Sequence, residues 1–113
     1  AMTADTYGGK SPQETLDMFI AALEKGDIEL ASKYFLLDMN ENYSRGKQMN
    51  YLENIKNKNL LISMIQDLKT AESHDSLYEG NQQFIIYNKE KTDSLLINFR
   101  FNEQSNIWKI ESF

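Results

Sequence analysis

Cysteine is absent from the 113 residues, and with it go disulfide bridges, thiolate catalysis and the cysteine sets that hold structural zinc. That absence fits an oxidising or a reducing compartment equally. The single histidine, His74, leaves no dyad for metal or relay chemistry, and zinc there would need three carboxylate or water ligands; it reads as a surface residue at a strand edge, with no metal and no cofactor expected. There is no glycine-rich phosphate loop and no nucleophile elbow, which excludes nucleotide enzymes and serine hydrolases of the usual kinds. Basic residues are the minority, 12 Lys and Arg against 17 Asp and Glu, so the formal charge of −5 repels a phosphate backbone and nucleic acid is not an expected partner. No apolar run approaches the ~20 residues that cross a bilayer. The opening "AMTADTYGGK" lacks the charged-then-apolar order of a secretory signal, and Ala1-Met2 reads as a cloning remnant, so that a native leader or lipid anchor ahead of Thr3 is compatible with the sequence.

What is present is enough for one domain: a chain of this length buries roughly two-thirds of its unfolded surface without staples. Residues 1–10 are small and polar with Gly8 and Gly9 adjacent, and read as a flexible lead-in; residues 11–113 form the domain. The one proline, Pro12, follows Ser11 in "SPQE", a hydroxyl cap with proline at the first helical position and Glu14 three residues on. Leu16, Phe19, Ile20 and Leu23 then recur at helical spacing and Gly26 closes a helix over 12–25. Asp27 caps a second helix through about Leu36, with Ile28, Ala31, Tyr34 and Phe35 on its buried side. The polar stretch 37–47 reads as a loop. Met49, Leu52, Ile55, Leu60, Leu61, Met64, Ile65 and Leu68 make the stripe of one long helix, 46–69, interrupted by "KNKN" at 56–59 where a kink fits. Beyond Ala71 the period drops to two. Segments 84–88, 94–101 and 107–113 read as three consecutive antiparallel strands joined by short polar turns, and a weaker strand is expected within 73–80.

The chain finishes on "NIWKIESF", its only tryptophan and a phenylalanine in the last eight residues, and an aromatic terminus belongs in a packed element. A capped first helix, the Gly26-Asp27 joint, a second helix bearing Tyr34-Phe35, a further helix and strands ending in Trp108-Lys109-Ile110 together resemble the nuclear transport factor 2-like, cystatin-like roll. The likeness covers about residues 11–113 and is nearest to small bacterial extracytoplasmic and lipid-anchored proteins of that fold. It implies an α+β architecture of three N-terminal helices packed on a curved antiparallel sheet of three to four strands. The last strand would be central or nearly so, with Trp108 and Ile110 facing the helices and Lys109 and Glu111 facing away. Leu95, Ile97, Phe99 and Phe101 share one face of their strand and should pack on the helices.

Such a roll encloses a conical cavity, and the enzymes of the superfamily place a carboxylate and a tyrosine there for proton transfer; here those roles would fall to Asp38, Tyr34 and Tyr51. Tyrosines on helices more often pack their rings, and no catalytic residue is assigned. The expected reading is a binding module for a small apolar ligand, a peptide or a partner protein, lined by Tyr34, Phe35, Tyr51, Ile55, Phe84, Ile86, Phe99 and Trp108. A proton-transfer enzyme of the isomerase or dehydratase type and a purely structural dimerisation unit are the alternatives. The outward sheet face would present Ile85, Tyr87, Leu96, Ile107 and Phe113, too apolar for water, and a homodimer through it is expected, with a helix or the amino-terminal tail folding over it as the alternative. Asp38, Asn40 and Asn42 alternate as in a calcium loop, but Tyr43 and Met49 stand where that loop needs Gly and Glu. "NYS" at Asn42 is a sequon with meaning only in a eukaryotic secretory route.

Overall fold

The computed structural model describes residues 7–36, 41–87, 94–103 and 105–112. Helices come first and a sheet comes after them, an α+β order: α1 Pro12–Glu24, α2 Ile28–Ser32, α3 Glu41–Asn57 and α4 Leu61–Lys69, then β1 Glu72–Ser73, β2 Asn81–Tyr87, β3 Ser94–Asn102 and β4 Ile107–Ser112. The four strands form one antiparallel meander in the order β1-β2-β3-β4.

Local chemistry fixes the first turns. Ser11 Oγ accepts from the Glu14 amide at 3.1 Å and Pro12 opens α1. At its far end Gly26 adopts φ +71°; its amide donates to Leu23 O at 2.9 Å and the Asp27 amide donates to Ala22 O at 3.1 Å, the paired bonds that a left-handed residue allows. Asp27 then turns to a second task, its Oδ1 accepting from the Leu30 amide at 3.0 Å to cap α2. Expected to reach Leu36, α2 ends at Ser32 instead. Past it the backbone runs through i→i−3 turns into an extended bridge with β4: Ile110 N–H donates to Tyr34 O at 2.9 Å and Leu36 N–H to Ile110 O at 2.7 Å. Bonds to a sheet edge replace the intrahelical bonds that the Tyr34 carbonyl and the Leu36 amide would otherwise make.

The helix expected from 46 begins earlier, at Glu41, so helix replaces loop over 41–45, while 37–40 lie outside the described residues. The expected long helix is divided. Asn59 takes φ +59°, its amide donating to Lys56 O at 3.1 Å and the Leu60 amide to Ile55 O at 2.9 Å, so asparagine closes α3 as Gly26 closes α1. Of the weak strand expected within 73–80, Ser73 lies in β1 and pairs with Phe84, Glu72 just before it pairs with Ile85, and beyond them His74 N–H and Asp75 O bond the Gln83 backbone.

One sheet face carries the cross-strand pairs Phe84–Ile97 and Phe99–Ile110, which bury against Leu16, Phe19 and Leu23 of α1, Leu52 of α3 and Leu68 of α4. Each such side chain contributes about 1.5–3 kcal/mol. Phe84 and Phe99 rings meet at 5.2 Å and Phe19 and Phe35 at 5.5 Å, filling the space between the layers.

The last strand is not central: β4 is the final strand of the sheet. Its outer edge is nevertheless closed. Besides the bridge to Tyr34 and Leu36, Trp108 N–H donates to Gly9 O at 2.9 Å and Thr15 Oγ1 donates to Trp108 O at 2.9 Å while accepting from the Gly9 amide at 2.8 Å. Tyr7 to Lys10, read from the sequence as part of a loose lead-in, are thus bonded into the domain. Lys109, on the face away from the core, is buried to 2 % exposure because its Nζ donates to the carbonyl oxygens of Tyr7, at 2.8 Å, and of Lys33.

Candidate functional site

Two open grooves lie at opposite ends of the sheet. The first, about 450 Å³, sits where α3 and α4 meet the end of the β2–β3 hairpin. Tyr51 and Ile55, one turn apart on α3, form one wall; Leu60, Met64 and Leu68 descend α4 at helical spacing to form another. Two adjacent cross-strand pairs, Ile86–Leu95 and Tyr87–Ser94, make the floor and end. Ile86 and Leu68 are buried, whereas Tyr51, Leu60, Tyr87 and Leu95 are exposed. Leu95 shares its strand face with Ile97 and Phe99 but stands 48 % exposed, because the helix layer stops short of it and the groove begins there.

Polar groups are few in this lining: Ser63, Asp67 and Ser94, besides the two phenols. Two lysines at the helix ends turn elsewhere. Lys56, in the last turn of α3, donates to Gly26 O at 3.2 Å, and Lys69, in the last turn of α4, bonds Glu24 at 3.2 Å. Asp67 is therefore the ionised side chain of the lining among the described residues.

The second groove, about 980 Å³, opens beside the tilted ring pair of Phe101 and Trp108, 5.6 Å apart, and is bounded by Leu36, Gly80 and Arg100. Glu111 ties its wall, accepting from Tyr78 Oη at 2.9 Å and lying 3.6 Å from Arg100. Burial and then this bond to Glu111 raise the Tyr78 phenol above its ordinary value.

The eight residues expected to line one cavity divide among three places. Tyr51, Ile55 and Ile86 reach the first groove and Trp108 the second, while Tyr34, Phe35, Phe84 and Phe99 are buried in the core. The sequence reading missed Leu60, Met64, Asp67, Tyr87 and Leu95. Consecutive leucines at 95 and 96 in a strand of period two were the available signal, since both cannot face one core.

Of the proton-transfer candidates, Tyr34 is 6 % exposed, its ring edge-on to Tyr7 at 6.1 Å, and its phenol is raised by desolvation with a smaller contribution from Tyr7. Tyr51 lies in the first groove and Asp38 falls outside the described residues, so the structure does not bring the three together. Asn42 falls within α3; Asn40 is outside the described residues. His74 is exposed, and its amide donates to Gln83 O at 2.7 Å. Among the described residues no group of three or more acidic, histidine or cysteine side chains is placed to hold a metal.

The outer sheet face is less apolar than expected. Ile85 and Leu96 are cross-strand partners beside Tyr87, but Gln83 Nε2 donates to Asn98 Oδ1 at 3.0 Å and the Arg100–Glu111 pair lies beyond. Ile107 is buried, with the Gly8 backbone lying over it; Phe113 is outside the described residues. No helix among the described residues is long and apolar enough to cross a membrane. Comparisons with family models, with curated proteins and with solved structures return no match to this chain.

Proposed function

We propose that the domain is a binding module whose first groove takes a small, largely apolar ligand. The observation that carries this reading is convergence: Tyr51, Leu60 and Leu95, three large hydrophobic side chains about half exposed, line a single groove of about 450 Å³ that Tyr87 borders. Apolar surface held open in one concavity, at a volume usual for small-molecule sites, supports ligand binding over packing alone. The helix-first layout over a meander supports placing the domain with the nuclear transport factor 2-like rolls, where a gap between helices and sheet receives the ligand.

Titration with the uncharged dye N-phenyl-1-naphthylamine tests it. Saturable enhancement of dye emission is expected at one site per chain. Leu60→Gln and Leu95→Gln, both at exposed positions, should each remove about 1–2 kcal/mol of apolar contact, a five- to thirtyfold loss of affinity. Absence of saturable binding, or equal binding by the double variant, refutes the reading.

Proton-transfer chemistry draws on a carboxylate enclosed by apolar walls, and Asp67 of the groove is exposed. A second reading, self-association through the outer sheet face, rests on the neighbouring Ile85, Leu96 and Tyr87. Sedimentation of the wild type and of Leu96→Lys decides it: a dimer that the substitution dissociates is expected, and a monomer at high concentration ends that reading.

A further inference from the structure

The charge in the groove restricts what it can hold. Asp67 stands in the last turn of α4, in a lining that is otherwise uncharged among the described residues. Among the described residues, the lysines in the last turns of the two helices are committed away from Asp67: Lys69 to Glu24 and Lys56 to the Gly26 carbonyl, both facing the α1–α2 joint. Tyr51 stands in the same lining, an aromatic neighbour of the kind that favours cations. The protein as a whole is negative, at −5.

We infer that the ligand of this groove joins an apolar body to a cationic head, an amine or quaternary ammonium seated against Asp67; the inference rests on the groove reading proposed above. A carboxylate ligand of the same tail length meets repulsion from Asp67 and has no cation in the described lining to answer it. The apolar tail lies over Leu95, Ile86 and Met64, and the head stays near water beside Asp67, which keeps the desolvation cost of the charge small.

Three probes with one ten-carbon tail separate the possibilities: decyltrimethylammonium, 1-decanol and decanoate, each titrated below its aggregation limit by calorimetry at low salt. The cation should bind about three- to tenfold tighter than the alcohol, and decanoate weaker still, the range expected of one partly exposed ion pair. Asp67→Asn should bring the cation-to-anion ratio close to one while leaving decanol affinity unchanged, with the far-ultraviolet spectrum confirming the fold. Asp17→Asn removes the same charge from the exposed face of α1 and should leave the ratio as it was. If none of the probes binds, the groove reading itself falls and this inference with it. If all three bind alike, or decanoate binds best, the groove is real and the charge assignment is wrong. A preference that survives Asp67→Asn, or that Asp17→Asn abolishes equally, also overturns the assignment.

Discussion

Gly8 is the residue through which the closed edge of the sheet can be opened. A Cβ built there lies 2.3 Å from the Trp108 carbonyl oxygen and 3.0 Å from Ile107 Cδ1. The first neighbour is backbone, so no rotamer change relieves it, and Gly8→Ala must lift the amino-terminal segment off β4. Three bonds go with it: Gly9 O from Trp108 N–H, the Gly9 amide to Thr15 Oγ1, and Tyr7 O from the Lys109 ammonium. Neutral hydrogen bonds of this kind are worth about 1 kcal/mol each and one to a charged donor about 1.5–3 kcal/mol, so complete release costs roughly 3–5 kcal/mol, with water returning part of it.

A net loss of about 2–4 kcal/mol corresponds to a fall in Tm of roughly 6–20 °C for a domain of this size. The assay has an internal reporter, because the only tryptophan is the residue whose backbone Gly8 touches. Thermal unfolding followed by circular dichroism gives the magnitude. Trp108 emission and amide exchange at Trp108 give the location: emission should shift to the red and the amide should lose protection while Leu16 and Phe19 keep theirs. A variant with Tm within 1 °C of the wild type and an unchanged Trp108 amide refutes the docking of Tyr7–Lys10.

Phe99 is completely buried and stacks on Phe84, so Phe99→Ala should destabilise by about 3–5 kcal/mol in urea unfolding; a loss under 1 kcal/mol would contradict its place in the core. Tyr34 ionises less readily folded than unfolded, so its contribution is complete below the unfolded value near 10 and is lost as pH rises through the folded value; Tm measured from pH 8 to 11.5 should fall less steeply in Tyr34→Phe, and parallel curves would refute this. Asn59→Gly should stabilise slightly and Asn59→Val should cost about 1–2 kcal/mol by thermal unfolding, since φ +59° suits glycine and penalises a β-branched residue; the reverse order would contradict the α3–α4 joint.

Much of the fold was legible because its signals are local. Ser11-Pro12, Gly26-Asp27 and the period-two runs each encode their conformation in a few neighbouring residues, and α1, the α1–α2 joint and three strands result. What escaped is long-range or lacks local punctuation. The start of α3 carries no apolar stripe and no proline or serine cap, so its polar run read as a loop. The burial of Ile107 and Lys109 depends on backbone from residues 7–9 and 33, about a hundred and about eighty positions away, and alternation along β4 holds no trace of it. The groove was seen in part, through Tyr51, Ile55 and Ile86; Leu60 and Met64 read as core stripe of one continuous helix, and the break at Asn59 is what makes them a separate wall.

That break makes the groove sensitive to what fills it. Leu52 anchors α3 in the core, and α3 packs on α2, whereas α4 packs on α1 and β2, so the two groove walls belong to differently supported elements joined at Lys58–Leu60. Holding them together at the joint are the Asn59 and Leu60 amides, bonded to Lys56 O and Ile55 O. A ligand touching Ile55 on one side and Leu60 on the other gains only when both bonds are made, so it must oppose the local opening that breaks them. At a ligand concentration of 100 times Kd, opening that abolishes binding becomes about a hundredfold rarer, and the Asn59 and Leu60 amides should slow in exchange by that factor. Gly9 and Trp108, at the far end of the sheet, open independently of the groove and should not slow. Equal slowing at both ends would mean that binding stabilises the domain only globally, and no slowing at Leu60 would place the ligand elsewhere.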